Sequence, residues 1–182
     1  NVLTLPELRW SPALSVPMTC GIVRLTILLP VSARHWEPSR VRVVLLHELA
    51  HVRRRDCLVH CITQAALALH WFNPLMWLAQ ARLRAERERA CDDLVLVAGT
   101  HGPDYAEHLL DIARQFRRQA VGLAAVAMAR PSELEGRLLA ILDPRIRTMP
   151  YGRRFLASLP PAPVSADPED IDRFFAVDSP CP

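Results

Sequence analysis

VVLLHELAHVRRRD, residues 43–56, sets four aliphatic residues before the pattern His47-Glu48-Leu49-Ala50-His51 and three arginines after it. Read as a helix, this stretch decides what the rest of the chain must build around it. Residues four apart lie one above the other on a helix, so His47 and His51 aim their imidazoles at one place. Two imidazole nitrogens suit zinc, at about 2 Å each. Glu48 stands beside the first histidine and three residues before the second. From there it reaches a water at the metal without coordinating, the position of a general base. The plainer reading is a core helix whose histidines are merely hydrogen-bonded, and the motif alone is too short to choose between the two.

Zinc that keeps a fourth position open for water needs a third protein ligand. AERERACDDLVL, residues 85–96, offers Glu88. Asp92 lies one turn further along the same face, where it can orient a ligand histidine from behind. Glu86 competes, but two residues are about 200° of helical rotation, so only one of the pair can look toward His47 and His51. Glu86 shares its side with Arg82 and Arg89, as a solvated ion-pair surface would, and Glu88 shares its side with Cys91 and Asp92. Glu88 is therefore the expected ligand and Asp92 the orienting residue.

Around these motifs the chain reads as mainly helical. Residues 1–20 are proline-rich and read as an irregular lead-in, followed by GIVRLTILLP (21–30), a β-branched run that predicts a strand or hairpin able to pair with an extended substrate. A helix is predicted from about Ser39 to Asp56. CLVHCITQAALALHWF (57–72) is apolar but too short and too polar to span a bilayer alone, and it reads as a buried or interfacial helix. Asn73-Pro74 supplies an N-cap and a proline at the first helical position, and Gly99 suits the cap at the other end. A further helix is predicted from Pro103 to about Ala120. Ser132 with Glu135 three residues later forms a capping box for a last short helix ending at Asp143-Pro144. Seven of the 33 residues from Pro150 to Pro182 are proline, which predicts a mostly disordered tail. The expected division is a catalytic domain over 1–148 and a tail over 149–182.

Composition narrows the class. The 182 residues suffice for one core. Net charge is +3, and all 22 basic residues are arginine. That balance, without aromatic interleaving or a recognised motif, does not support direct nucleic-acid binding. Five cysteines, odd in number and with no CxxC pair, suggest neither a disulfide framework nor a zinc finger. The chain opens at Asn1 with no leader-like segment, and reads as a fragment of a longer protein.

The carboxylates of Glu88 and Asp92 on a helix after HExxH resemble the gluzincin class of zinc peptidases, to which thermolysin belongs. HELAHVRRRD, then HWFNPLMWLA, then RERACDDLVL, is similar to the membrane-embedded zinc peptidases of the BlaR/MecR antirepressor family. The likeness extends upstream to SVPMTCGIVRLTILLP and downstream to MARPSELEGRLLAILDP, roughly residues 10–147. It implies a mainly α, α+β gluzincin-like domain with a small β element before the HExxH helix. It further implies that His47, His51 and Glu88 bind Zn2+ and that Glu48 is the base. The activity implied is endopeptidase cleavage of a regulatory protein, such as a transcriptional repressor or the protease itself. The rival reading is a catalytically silent zinc-binding sensor or interaction fragment.

The resemblance also implies membrane association, with the catalytic site on the cytoplasmic side. Members of the family usually carry transmembrane helices on both sides of this domain, whereas here a proline-rich acidic segment follows AILDPRIRT. An oxyanion-stabilising donor is needed as well. Tyr105, His101 and His108 lie in the right region, though each suits a surface or packing role better.

Overall fold

The computed structural model describes residues 6–119 and 131–143. Three strands come first: β1 (Glu7–Ser11), β2 (Met18–Cys20) and β3 (Thr26–Pro30). A 3-10 turn (Val31–His35) leads into the helices of the described residues: α1 (Pro38–Arg54), α2 (Asp56–Leu69), α3 (Pro74–Val97), α4 (Gly102–Gln119) and α5 (Pro131–Leu142). The architecture is α+β and mainly α.

The sheet is larger than the sequence reading allowed, because the supposedly irregular lead-in contains two of its strands. Pro6, Pro12 and Pro17 punctuate these strands from outside and do not interrupt them. In β1, Leu8 is fully buried and Trp10 packs on the same core, while Glu7 and Arg9 pair at 2.7 Å on the other face. This is the period-two alternation of a strand covered on one side. Strand order is β1-β3-β2, with β1 parallel and β2 antiparallel to β3. The turn from β2 to β3 needs glycine: Gly21 sits at φ +94°, and a Cβ there would run into the carbonyl of Arg24.

Helix α1 is the centre of the molecule. One side packs on the sheet, where Val41, Val44, Leu45 and Leu49 join Leu8, Ile27 and Leu29. The other packs on the remaining helices, Val43 and Leu46 meeting Val95, Tyr105 and Ile141, and Ala50 meeting Cys91 and Leu94. A helix covered on both sides must be apolar nearly all round, which is why VVLL precedes the histidines. Each of these aliphatic side chains gains about 1.5–3 kcal/mol from burial.

Helix α1 ends at Arg55, whose left-handed backbone (φ 54°) breaks the helix and starts α2 one residue later. Asn73 caps α3 by accepting from the Leu75 amide at 3.0 Å, with Pro74 opening the helix. Helix α5 starts at Pro131, one residue before the expected cap Ser132. Residues 57–72 do not form a core helix. In α2 only Asp56 and Leu67 are buried, and the helix projects with the first half of α3 as a hairpin. No helix among the described residues is long and apolar enough to cross a membrane. The boundary at 148 and the tail over 149–182 lie outside the described residues.

Candidate metal centre

The two histidines of α1 stand edge to face with their ring centroids 4.8 Å apart. Their Nε2 atoms approach to 3.2 Å. Glu88 reaches them from α3, with Oε2 3.6 Å from His47 Nε2 and Oε1 3.8 Å from His51 Nε2. Four tetrahedral ligands at about 2.0–2.1 Å from a zinc ion stand roughly 3.3 Å from one another. The separations among these three donors lie near that value, so the donor set fits a cation. Glu86 is on the other side of α3, 60% exposed and paired with Arg89 at 3.2 Å.

Behind each imidazole stands a carboxylate. His51 Nδ1 is 2.8 Å from Asp56 Oδ2, and His47 Nδ1 is 3.3 Å from Asp92 Oδ1. An imidazole that donates Nδ1–H to a carboxylate keeps the Nε2 lone pair for a ligand, so these contacts select the tautomer a metal would need. The Arg55 break is what brings Asp56 back beneath His51. Arg54 Nε donates to Asp56 Oδ2 at 3.3 Å, and Arg87 of α3 donates to its backbone carbonyl at 3.2 Å. Asp92 accepts from the Tyr105 hydroxyl at 2.5 Å and from two nitrogens of Arg137 at 2.7 Å each.

The charges are strongly coupled. Burial works against a proton on His47, but hydrogen bonds to Asp92 and Glu88 outweigh it and lift the pKa to about 9. Burial would raise Glu88, yet its hydrogen bond with His47 and the charge of Arg137 bring it down to about 2. Asp92, also buried, is held well below the usual carboxylate range by Arg137 and His47. Positive charge is thus strongly favoured where Nε2 of His47 meets Glu88, the electrostatic condition for a cation site.

His51, Asp56 and Cys91 form a second close group. Burial and the neighbouring Asp56 push the Cys91 thiol far up, so it remains protonated and donates to Asp56 Oδ2 at 3.7 Å. Because Nδ1 of His51 already faces Asp56, the Nε2 set is the better ligand group.

Glu48 is buried beside His47, and the Thr19 hydroxyl of β2 donates to its Oε2 at 2.7 Å. A cleft of about 1310 Å³ opens over His47, Glu48, His51 and Glu88 and runs along β2. Strand β3, expected to receive an extended substrate, is the middle strand with partners on both sides, and the open strand facing the cleft is β2.

Of the oxyanion candidates, Tyr105 is fully buried with its hydroxyl 3.0 Å from His47 Nδ1, on the side of the ring away from the Nε2 atoms. His101 is exposed beside Asp104, and His108 lines the cleft. Sequence reasoning missed Asp56 and Arg137. Asp56 carried a signal, an acid just past the second histidine, but reading it as the helix end hid its return.

Residues 3–141 match the family model described as BlaR1 peptidase M56. The regulatory protein BlaR1 of Bacillus licheniformis is 36% identical over 86 residues, 47% of this chain and 14% of that protein. The methicillin resistance mecR1 protein of Staphylococcus aureus is 28% identical over 90 residues, 49% of this chain and 15% of that protein. The chain therefore matches about a seventh of the length of these relatives. No solved structure gives a significant match.

Proposed function

The chain belongs to the BlaR1 peptidase M56 family, and from that premise we propose that it is a zinc-dependent endopeptidase that cuts a regulatory protein, a transcriptional repressor or its own chain, at the cytoplasmic face of a membrane. One observation carries the reading: two Nε2 atoms and a carboxylate converge beside the buried Glu48 at the floor of an open cleft. His47, His51 and Glu88 would hold the zinc, which supplies a Lewis acid for the scissile carbonyl and acidifies a water.

The remaining work falls to the chain itself. Thr19 occupies Oε2 of Glu48, leaving Oε1 to take the proton from the attacking water and to return it to the leaving amine. Asp92 and Asp56 keep both imidazoles in one tautomer and orientation. Strand β2, an edge strand lining the cleft whose Thr19 carbonyl already accepts from Cys57, would pair with an extended peptide through its remaining backbone groups, so backbone hydrogen bonds would fix the substrate with little regard for its side chains.

The test uses the 182-residue chain with elemental analysis and a peptide-library cleavage assay. One equivalent of zinc, cleavage by the parent and none by Glu48→Gln, which keeps its zinc, are the expected results. Zinc without cleavage in the parent would return the silent sensor fragment in its place.

A further inference from the structure

From Cys57 to Ala81 there is no Asp, Glu, Lys or Arg. These 25 residues make the projecting hairpin of α2 and the first half of α3, and from residue 61 to residue 83 only Leu67 is buried. Ile62, Leu69, Trp71, Phe72, Leu75 and Trp77 are each more than half exposed. A surface this apolar calls for a partner, and three features say which.

The first is how the hairpin treats its polar groups. Gln80 Nε2 donates to Gln64 Oε1 at 2.8 Å across the two helices, and the Trp77 indole donates to the Trp71 carbonyl at 2.8 Å. His70 Nδ1 bonds the Ala66 carbonyl at 3.0 Å, the Thr63 hydroxyl bonds the His60 carbonyl at 2.8 Å, and Asn73 caps α3. An exposed tip in water has no need to satisfy its polar side chains internally; one in hydrocarbon does.

The second is length. The Gln64–Gln80 and Asp56–Arg87 contacts set the antiparallel register, which puts Arg82 level with Ile62. From that level to the tip at Trp71 is about 9 residues, or roughly 13 Å at 1.5 Å per residue. One leaflet of a bilayer contributes about 15 Å of hydrocarbon. The hairpin is too short to span and long enough to fill one leaflet.

The third is charge. Arg53, Arg54 and Arg55 at the α1–α2 junction lie roughly 10 Å further from the tip, and the uncharged tip itself ends at a collar formed by Arg82 and Arg84 on α3. Arginines at this depth meet the headgroups, where anionic lipids favour them.

We propose that the α2–α3 hairpin inserts its tip into the hydrocarbon of one leaflet of an anionic membrane, with the arginine collar at the headgroups. His60, Cys61, Arg82 and Arg84 at the hairpin base also line the cleft, so the cleft opens at the lipid surface and takes a peptide segment lying there. That last point deepens the functional reading and rests on it; insertion itself needs no catalysis.

The experiment floats the full 182-residue chain, carrying Glu48→Gln to silence any cleavage, with vesicles of phosphatidylcholine alone or with phosphatidylglycerol, some brominated on the acyl chains. Expected are co-flotation with the anionic vesicles, tryptophan quenching by the brominated lipid, and a loss of partitioning of about 100-fold in the triple variant Trp71→Ala, Phe72→Ala, Leu75→Ala. Arg82→Glu with Arg84→Glu should weaken binding about 10-fold on anionic vesicles and leave neutral ones alone. Circular dichroism identical to the parent certifies that each variant is folded. Flotation unchanged in the triple variant, absence of flotation, or dimers that the triple variant converts to monomers without any lipid effect would each overturn the proposal. Because no cleavage is measured, these outcomes are independent of the peptidase assignment.

Discussion

Arg137 donates Nε to Oδ2 and Nη2 to Oδ1 of Asp92, 2.7 Å each, across 45 positions of sequence, and its Nη1 stands 3.1 Å from Glu88 Oε2. One guanidinium on α5 therefore fixes the proposed metal ligand on α3 and, through Asp92, the imidazole of His47 on α1. Removing it strands two carboxylates in a poorly solvated place. Arg137→Ala should cost about 3 kcal/mol of stability and weaken metal affinity on the order of 10–100-fold. Arg137→Lys keeps the charge but loses the planar fork, so it should fall between alanine and the parent. Thermal unfolding and chelator competition measure the two effects separately. An Arg137→Ala protein with parental metal affinity would reduce this residue to a structural strut.

The choice between neighbouring acids is equally open to measurement. Glu88→Ala should lower zinc affinity by orders of magnitude, because it takes away one of three ligands. Glu86→Ala should change neither affinity nor, beyond about 0.5 kcal/mol, stability, since its exposed pair with Arg89 is a surface contact. Zinc competition on the two variants decides it; a result in the opposite order would move the site.

What was legible in the sequence is what local chemistry controls. Asn73-Pro74 announces the start of α3 because capping and a fixed proline φ act within one turn. The spacing of His47, His51, Glu88 and Asp92 is a property of single helices, and it could be read before any packing was known. Strands β1 and β2 were missed because prolines at 6, 12 and 17 dominate so short a stretch. The parallel pairing of β1 with β3, Glu7 opposite Thr26, is also non-local. Asp56 was hidden by a left-handed residue that is not glycine, and Arg137 by a contact made only when α5 docks. The exposure of α2 was illegible for a different reason: an apolar pattern says that a face wants covering, not what covers it.

Without metal, the centre depends on a proton. The folded pKa of His47, about 9 against 6.5 for the free side chain, lies above the unfolded value. Its contribution is therefore complete below pH 6.5 and is lost as pH rises through 9. Glu88 is held at about 2 against 4.5, so its contribution is present above pH 4.5 and lost as pH falls through 2. Both shifts share the His47–Glu88 contact and count once, at about 3 kcal/mol. The Tm of metal-free protein should fall between pH 6.5 and 9. That of the zinc-loaded protein should not fall in this window, because an Nε2 that coordinates the metal carries no proton to lose. Parallel Tm profiles for the two forms would contradict the assignment of His47 as a ligand.

Thr19 gives the most direct test of how the cleft edge serves the proposed base. Its hydroxyl donates to Glu48 Oε2 at 2.7 Å and contacts the Glu48 carbonyl at 3.3 Å, while its own carbonyl accepts the Cys57 thiol at 3.3 Å. The same residue thus joins the open strand, the α1 glutamate and the base of α2. Thr19→Val keeps the shape and β-branching of the side chain and removes only the donor. A hydrogen bond to a charged group contributes about 1.5–3 kcal/mol, and part of that would appear as a misplaced carboxylate. The expected result is a kcat lower by roughly 10-fold, with KM and zinc content unchanged, since neither the strand edge nor the ligands are touched. Thr19→Ser should restore most of the rate. A rise in KM with kcat intact would instead place Thr19 in substrate binding, and equal losses in the valine and serine variants would show that the methyl group matters and the hydroxyl does not.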